Sequence, residues 1–206
     1  MTYSSKIQSI NDISFEAIRK IAITEILGYS NDVRNKLWND LKRGTALLNT
    51  HEQMCQYMLS YGKMHQAKLL DSFKKLDKTT FHNEIEVIDW GCGQAMGTIN
   101  LFDYLKEHNL DSSIKKVTLI EPSQKALERA KVHIQAYCDN DVQIVTNSNF
   151  FENIEASDIA SKSGRDVIHI FSNIIDVEDI DLKYLSGLID KSVKTDNYLV
   201  CVGPLN

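Results

Sequence analysis

The stretch from 87 to 97 constrains the fold more than any other part of this chain. A short apolar run leads into Asp89, then into Gly91 and Gly93, which are separated by one residue, and then into a helical pattern. This order predicts a strand, a tight turn and the start of a helix. The two glycines let the backbone turn sharply and approach a ligand that a Cβ would block. Because ligands bind at the carboxyl ends of strands in open α/β sheets, the segment predicts a nucleotide-like pocket at 89–95.

The turn departs from the dinucleotide fingerprint G-x-G-x-x-G, in which a pyrophosphate lies on the helix N-terminus. Met96 occupies the position of the third glycine, and Gly97 comes one residue late, inside the predicted helix. The carboxylate of Asp89 would repel a pyrophosphate, whereas it suits a ligand that carries an ammonium group and no phosphate. S-adenosylmethionine is such a ligand, and Met96 and Asp89 both weaken the hypothesis of a nucleotide-dependent oxidoreductase.

A second acid follows one helix later. The run at 116–120 predicts another buried strand, which ends in Glu121, and Pro122 and Ser123 then stop that strand before a helix at 124–137. An acid at the end of the second strand can accept hydrogen bonds from both hydroxyls of a ribose. The alternative interpretation is a solvated acid at a strand end.

These two motifs resemble those of the class I S-adenosylmethionine-dependent methyltransferases. The residues that carry the resemblance are Asp89-x-Gly91-x-Gly93-x-Ala95 and Leu119-Ile120-Glu121-Pro122-Ser123. The apolar runs at 142–145 and 166–171 add support, and the similarity covers 84–204. Ala95 stands where the family usually has its third glycine.

The resemblance implies an α/β fold with a doubly wound, mainly parallel, Rossmann-like sheet in the strand order 3-2-1-4-5. An α-helical segment at 1–80 would precede a cofactor-binding domain at 81–206. The family normally continues after its fifth strand with a helix and an antiparallel strand pair, whereas the fifth strand predicted here runs to 204. We therefore expect either a fragment of a longer protein or an edge that a partner or a second copy covers.

The resemblance also implies which residues hold S-adenosylmethionine. The family usually places a polar group after the third strand against the adenine amine, and the carboxyl end of the fourth strand faces the methyl donor. For the positions after the third strand, a loop of turn-forming residues remains an equal alternative. The expected cofactor-binding residues are Asp89, Gly91, Cys92, Gly93, Glu121, Pro122, Ser148, Asn149, Phe171 and Ser172.

Catalytic residues are harder to predict, because methyl transfer needs a general base only when the nucleophile must first lose a proton. No catalytic dyad is visible. Tyr61, His65, Asn173 and Asp176 are the candidate polar contacts, and packing tyrosines and a core histidine are the alternatives. Gly62 lies inside a predicted helix at a cost of about 1 kcal/mol relative to alanine, which a close approach to the cofactor or to a strand would explain.

Composition narrows the class of protein. The 206 residues are 43% hydrophobic and 25% charged, which is ordinary for a globular chain, and no run of 18 apolar residues occurs. The four cysteines form no C-x-x-C pair, so we expect neither disulfides nor a metal site, and a cytoplasmic location. The first 84 residues are mildly basic, either as solvated helix faces or as a weak patch for an anionic partner such as RNA.

The residues at the end of the fourth strand limit which class of methyl acceptor can be expected. Amino-methylating DNA enzymes of this fold carry an Asp/Asn-Pro-Pro-aromatic motif there, whereas this chain has Phe171-Ser172-Asn173-Ile174. His169, inside the strand, is expected to be a core residue. The sequence therefore favours methyl transfer to an unidentified acceptor, which could be a small molecule, RNA or a protein. The alternative is a non-catalytic S-adenosylmethionine-binding or interaction module of a larger protein.

Overall fold

The fold is built on a parallel sheet of five strands with helices on both sides. The computed structural model describes residues 1–110, 113–138, 141–161, 164–175, 180–193 and 195–203. The strands are β1 (Ile85–Trp90), β2 (Ile114–Ile120), β3 (Gln143–Asn147), β4 (Asp166–Ser172) and β5 (Asn197–Val202). The α-helices are α1 (Tyr3–Gln8), α2 (Phe15–Leu27), α3 (Asn31–Asp40), α4 (His51–Phe73), α5 (Met96–Glu107), α6 (Gln124–Tyr137) and α7 (Leu182–Ser192).

The strand order is β3-β2-β1-β4-β5, which confirms the order that the sequence predicts. All four strand pairs are parallel, and β1 is paired with β2 on one side and with β4 on the other. Trp90, the last residue of β1, is level with Ile120 and Phe171 in the neighbouring strands. The three central strands therefore end together, and the order reverses beside β1, where a ligand crevice is expected.

The helices begin where the sequence supplies caps. Ser14, Ser30 and Ser123 each accept a hydrogen bond from a backbone N–H in the first turn of the helix that follows. Thr50 and Gln53 form a complete capping box at the start of α4. Helix α6 thus spans the predicted range, 124–137.

The N-terminal helices pack onto the same core as one side of the sheet. Ile18 of α2 and Phe73 of α4 belong to the same buried cluster as Ile85 of β1 and Ile99 of α5. Gly62 of α4 lies against α2, because a Cβ there would lie 3.1 Å from the Arg19 side chain. The close approach at Gly62 is therefore to another helix, and the expected approach to the cofactor or to a strand is wrong.

The strand β5 is covered on one face. Val200 and Val202 are buried in the main core, while Leu199 on the opposite face is 55% exposed and Cys201 is exposed as well. The side chain of Lys68 on α4 donates a hydrogen bond of 2.8 Å to the carbonyl oxygen of Gly203, just past the strand end. None of the described helices is both long enough and apolar enough to span a membrane.

Candidate functional site

The turn between β1 and α5 has an unusual backbone. Gly91 and Gly93 have φ angles of +59° and +52°, and Ala95 has a φ of +62°. Glycine adopts this left-handed region freely, whereas an L-residue pays roughly 1–2 kcal/mol. The N–H of Ala95 donates to the carbonyl oxygen of Cys92 at 2.7 Å, which closes the turn. The two glycines are therefore required by the backbone, and Ala95 holds a costly conformation.

The two glycines differ in what surrounds them. A Cβ at Gly91 would lie 3.0 Å from the side chain of Ile174 and 3.4 Å from that of Phe151, so packing also excludes a larger residue there. A Cβ at Gly93 would have no protein atom within 4 Å, although Gly93 lines a cavity. Gly93 thus leaves open space on the cavity side of the turn, where a ligand could approach the backbone.

The cavity lies at the carboxyl ends of the strands and has a volume of about 850 Å³. Pockets for small molecules and cofactors measure about 300–1,000 Å³, so this one is large enough for a ligand of nucleotide size with space beside it. The residues lining the cavity are Gly44, Thr45, Ala46, Leu47, Leu48, Tyr57, His65, Gly91, Cys92, Gly93, Gln94, Met96, Gly97, Glu121, Pro122, Phe150, Phe151, Glu152, Ser172, Asn173, Ile174, Ile180, Asp181 and Tyr184.

Glu121 lies on the cavity wall and is 7% exposed. One of its carboxylate oxygens accepts a hydrogen bond of 3.0 Å from the N–H of Gly93, and the other accepts one of 2.9 Å from the N–H of Ser123. Burial raises the pKa of Glu121, and these two N–H groups oppose the rise. Since a carboxylate has about four acceptor sites, Glu121 can fix the turn and still accept hydrogen bonds from a ligand.

Asp89 lies beneath the turn and does not reach the cavity. It is fully buried, and one carboxylate oxygen accepts hydrogen bonds from the N–H of Thr98 at 3.1 Å and from its hydroxyl at 2.7 Å. Its other oxygen has no hydrogen-bond partner among the described residues. Burial raises the pKa of Asp89 to about 7, and the nearby charge of Glu121 adds to the rise. The structure therefore places Asp89 as a support of the start of α5.

Gly97 explains why the glycine spacing differs from the dinucleotide fingerprint. It lies in the first turn of α5, and a Cβ there would lie 2.7 Å from the side chain of Ile170 on β4 and 3.1 Å from the carboxylate of Asp89. Close packing of helix on strand is the role of the third glycine in that fingerprint. Here Gly97 fills that role one residue later, and Met96 lines the cavity.

The structure brings six of the ten expected cofactor-binding residues to the cavity. They are Gly91, Cys92, Gly93, Glu121, Pro122 and Ser172. Phe171 is not at the wall, because its ring stacks on Trp90 with centroids 5.6 Å apart. Ser148 and Asn149 are exposed and also lie off the wall, which includes Phe150, Phe151 and Glu152 instead.

Only some of the candidate catalytic residues line the cavity. His65 and Asn173 line the cavity, and Tyr61 does not. The ring of Tyr61 is stacked between those of Trp38, at 5.5 Å, and His65, at 6.0 Å. Asp176 lies outside the described residues. Of the three candidates that the structure describes, two are thus placed where they could meet a ligand.

His65 combines burial with an unsatisfied ring nitrogen. The residue is 3% exposed, and its buried Nδ1 has no hydrogen-bond partner in the part of the chain that the structure describes. The ring of Tyr57 meets it edge-on with centroids 5.7 Å apart. Burial lowers the pKa of His65 to about 4, and the charge of Lys68 adds to the decrease. The imidazole is therefore neutral at neutral pH.

His169 differs from His65 in being fully partnered. It is completely buried in β4, its Nδ1 accepts a hydrogen bond of 3.1 Å from the indole N–H of Trp90, and its Nε2 lies 2.8 Å from the side-chain oxygen of Asn197. The structure confirms that His169 is a core residue.

Sequence reasoning missed several residues of the cavity wall. Asp181 and Tyr184 belong to the start of α7, a helix that the sequence analysis did not predict. The signal was present, since Leu185, Leu188 and Ile189 repeat at helical spacing after an Asp that can cap a helix. Glu152 lies in a short 3-10 helix, Phe151–Asn153, for which the sequence offers no comparable signal.

A partly buried polar cluster lies where α2 meets the start of α4. Glu25, His51 and Cys55 lie close enough together to suggest a metal site. However, Arg129 donates to the Nδ1 of His51 and, at 3.6 Å, to the sulfur of Cys55, while Lys6 lies 2.9 Å from Glu25. These two cations already neutralise the group, so its chemistry does not fit a divalent ion.

The same cluster reaches the cavity wall through Gln94. Arg129 donates to the side-chain oxygen of Gln94 at 3.4 Å, and the side-chain amide of Gln94 donates to the carbonyl oxygen of Met54 at 3.0 Å. The Nδ1 of His133 lies 2.8 Å from the backbone oxygen of Gln94. Helices α4 and α6 therefore hold the residue that directly follows Gly93.

No family model and no curated protein matches this chain. Among solved structures it is similar to a SAM-dependent methyltransferase of the DUF858 family from Leishmania major, with 13% identity and a TM-score of 0.46 over 79% of this chain and 58% of that one. It is similar to the plantazolicin methyltransferase BpumL in complex with SAH, with 13% identity and a TM-score of 0.39 over 96% and 61%. A third similar structure is magnesium protoporphyrin IX methyltransferase from Synechocystis PCC 6803, with 13% identity and a TM-score of 0.38 over 89% and 72%.

The chain spans about three fifths of the length of the first two of these proteins. At such identities, and with TM-scores below 0.5, these likenesses assign neither an activity nor a substrate to this chain. What the cavity can bind follows from the chain's own residues.

Proposed function

We propose that this chain binds S-adenosylmethionine in the cavity and catalyses transfer of its methyl group to an acceptor. The observation that carries the proposal is the position of Glu121. This buried carboxylate lies at the end of β2, faces the cavity and accepts a hydrogen bond from the N–H of Gly93 in the glycine turn. A carboxylate at that place is suited to accept hydrogen bonds from the two hydroxyls of a ribose.

The residues present fit the cofactor. The open space at Gly93 lets a ligand lie against the backbone of the turn. The apolar wall of Pro122, Phe150 and Phe151 suits the faces of an adenine ring, and Glu152 beside it can accept hydrogen bonds from the adenine amine. This assigns to Glu152 the contact that the sequence suggests for Ser148 and Asn149.

Asp89 contributes through the turn in this proposal. Because its carboxylate is bonded to Thr98 and covered by Gly97, it fixes the start of α5 and hence the position of Gly93. Direct contact with the cofactor is left to Gly91, Cys92, Gly93 and Ser172, which line the cavity.

When bound, the cofactor supplies a methyl group that its sulfonium makes electrophilic. The chain's own contribution is to hold the methyl donor and the acceptor in line and to exclude water. Proximity and orientation of this kind account for most of the acceleration of such a transfer. The walls from α4, α7 and the segment 44–48 enclose the space beside the turn. Cys55, Cys92 and Cys201 are present as thiols, which fits the reducing cytoplasm that we propose as the location.

Calorimetry with S-adenosylhomocysteine and NAD tests the proposal. We expect S-adenosylhomocysteine to bind and NAD not to bind. Glu121→Gln should weaken S-adenosylhomocysteine binding by roughly 1.5–3 kcal/mol, the range for hydrogen bonds to charged groups, and should barely affect an analogue that lacks both ribose hydroxyls. Glu128→Gln on the exposed side of α6 is the matched control and should change neither affinity.

Two results would contradict the proposal. The first is an absence of S-adenosylhomocysteine binding by the folded protein. The second is an equal loss for both ligands in Glu121→Gln, which would show that Glu121 acts only through its hydrogen bonds to Gly93 and Ser123. Binding without turnover on any acceptor would favour a cofactor-binding module.

A further inference from the structure

The peptide group between Gln94 and Ala95 is held at both of its polar atoms. Its N–H, on Ala95, donates to the carbonyl oxygen of Cys92 at 2.7 Å, and its carbonyl oxygen, on Gln94, lies 2.8 Å from the Nδ1 of His133. Gln94 is 2% exposed and directly follows Gly93, so this peptide belongs to the glycine turn. The orientation of the peptide is therefore fixed from two directions.

The orientation of this peptide determines the conformation of Ala95. Ala95 has a φ of +62°, a left-handed value that residues with a Cβ rarely adopt. Rotating the peptide by half a turn would move that φ to the negative side, which such residues prefer. The same rotation would break both hydrogen bonds and turn the carbonyl oxygen of Gln94 towards that of Cys92. The strain at Ala95 therefore favours a rotated peptide, and the bond to His133 opposes that rotation.

The tautomer of His133 shows which atoms donate in this chain of hydrogen bonds. A backbone carbonyl oxygen only accepts, so the Nδ1 of His133 carries the proton. His133 is completely buried, and burial together with the charge of Arg129 lowers its pKa to about 4, so the ring is neutral and its Nε2 has a lone pair. The hydroxyl of Tyr3 lies 2.9 Å from that Nε2 and therefore donates to it. Burial raises the pKa of Tyr3 above its usual value, which keeps this proton in place.

Tyr3 connects these hydrogen bonds to helix α1. The guanidinium of Arg129 on α6 lies 3.9 Å from the centre of the Tyr3 ring, and the ring of His51 on α4 meets that ring edge-on with centroids 5.5 Å apart. Arg129 also donates to the side-chain oxygen of Gln94 at 3.4 Å. Helices α1, α4 and α6 therefore meet at the ring of Tyr3, and its hydroxyl selects the tautomer of His133 that holds Gln94.

Resting on the proposed function, we propose that Tyr3 and His133 are positioning residues for cofactor binding. Without the hydroxyl of Tyr3, the proton of the His133 ring is free to move to Nε2, which leaves the lone pair of Nδ1 facing the carbonyl oxygen of Gln94. The peptide then rotates in a larger fraction of the molecules, and the apparent affinity for the cofactor falls with the fraction that keeps the observed turn. Neither Tyr3 nor His133 is among the described lining residues, so the effect is transmitted through Gln94, which lines the cavity.

Calorimetry of the full chain with S-adenosylhomocysteine tests this role. Tyr3→Phe removes only the hydroxyl and keeps the ring contacts with Arg129 and His51. We expect it to weaken binding about threefold to tenfold, which is the effect of one hydrogen bond on the balance between the two turn conformations. Tyr137→Phe is the matched control, because it also removes a hydroxyl bond at α6, one of 2.8 Å to Asp103 away from the cavity wall, and it should leave the affinity unchanged.

Two substitutions of His133 repeat the test at the next hydrogen bond. His133→Asn retains a donor near the position of Nδ1 and should bind S-adenosylhomocysteine nearly as well as the native chain. His133→Phe has no donor for the carbonyl oxygen of Gln94 and should lose at least as much affinity as Tyr3→Phe. This pair compares the presence and the absence of the donor at one buried position.

Ala95→Gly separates positioning of the turn from a general effect on the fold. Because glycine adopts the left-handed region freely, the turn then depends less on the bond from His133, and Tyr3→Phe in this background should weaken binding by less than about twofold. A hydroxyl that only stabilised the fold would cost the same affinity with alanine or glycine at position 95.

The proposal is wrong if Tyr3→Phe binds S-adenosylhomocysteine as tightly as the native chain, if Tyr137→Phe loses as much affinity, or if Ala95→Gly leaves the loss unchanged. Equal affinities of His133→Asn and His133→Phe would contradict it as well. Failure of the native chain to bind S-adenosylhomocysteine would instead contradict the proposed function, so the two failures are distinguishable.

Discussion

At the scale of single residues, the carboxylates of Asp89 and Glu121 have different surroundings, although each follows buried residues of a strand. Glu121 lies one residue past β2 and faces the cavity, whereas Asp89, inside β1, points beneath α5 and is bonded to Thr98. The sequence predicts that both acids lie near the carboxyl ends of strands. It does not predict which way Asp89 points, because that depends on the close approach of α5 to β4 at Gly97.

Asp89 should make stability depend on pH. Its pKa is raised from 3.8 to about 7 in the folded protein, so the folded state binds more protons than the unfolded state in that interval. Its contribution is therefore greatest below about pH 4 and is lost as the pH rises towards 7. Relative to Asp89→Asn, which can still accept both hydrogen bonds from Thr98, the native chain should lose roughly 2 kcal/mol between about pH 5 and pH 7.

Urea unfolding of both proteins at those two pH values measures this difference, since contributions from titrating groups that do not interact with Asp89 cancel in the comparison. If the free energies of unfolding of the native chain and of Asp89→Asn change in parallel between these two pH values, the raised pKa of Asp89 is contradicted.

At the scale of secondary structure, the sheet was predictable because each strand is a short apolar run that ends at turn residues, and the predicted order is confirmed. The helix α7 was missed between two such runs, and Asp181 and Tyr184 were missed with it. The 3-10 helix that brings Glu152 to the cavity carries no periodic signal, since three residues are too few to show one. The wall of the site was therefore less predictable than the turn.

The contact between α5 and β4 leaves no room for a side chain at Gly97. Gly97→Ala would place a Cβ 2.7 Å from the fully buried side chain of Ile170, and overpacking of this kind costs typically about 1–3 kcal/mol. We expect a net loss of free energy of unfolding even though alanine is the better helix former. Gly187→Ala in α7, where a Cβ meets no atom within 4 Å, is the matched control and should be neutral or stabilising. Chemical denaturation measures the free energy of unfolding of the two variants. An equal change in both variants would refute the close contact at Gly97.

At the scale of the whole molecule, the N-terminal helices and the sheet contribute to one cavity. Tyr57 and His65 come from α4 and the segment 44–48 precedes it, while Gly93 and Glu121 come from the sheet side. The sequence suggests a helical segment at 1–80 beside a domain at 81–206, and whether these behave as separate units stays a prediction. It does not show that Gln94, directly after Gly93, is held by Arg129 and by the backbone of Met54.

Hydrogen exchange should reveal this shared cavity. On addition of S-adenosylhomocysteine, we expect slower amide exchange both in the turn at 91–97 and in the segment 44–48 with the adjoining part of α4. Protection restricted to residues after 81 would show that the N-terminal helices do not take part in binding. Glu121→Gln should reduce the protection of both regions together if one ligand spans them.

The rings packed around Trp90 make its fluorescence sensitive to the cavity. Trp90 is fully buried, directly precedes Gly91 and donates its indole N–H to His169, and the rings of Phe151 and Phe171 lie against it. The other tryptophan, Trp38, is 47% exposed and stacks on Tyr61. In a Trp38→Phe variant, all indole fluorescence would come from Trp90, which lies against Phe151 of the cavity wall. Its emission should be blue-shifted, and because Phe151 both touches Trp90 and lines the cavity, the intensity should report the arrival of a ligand without any attached label.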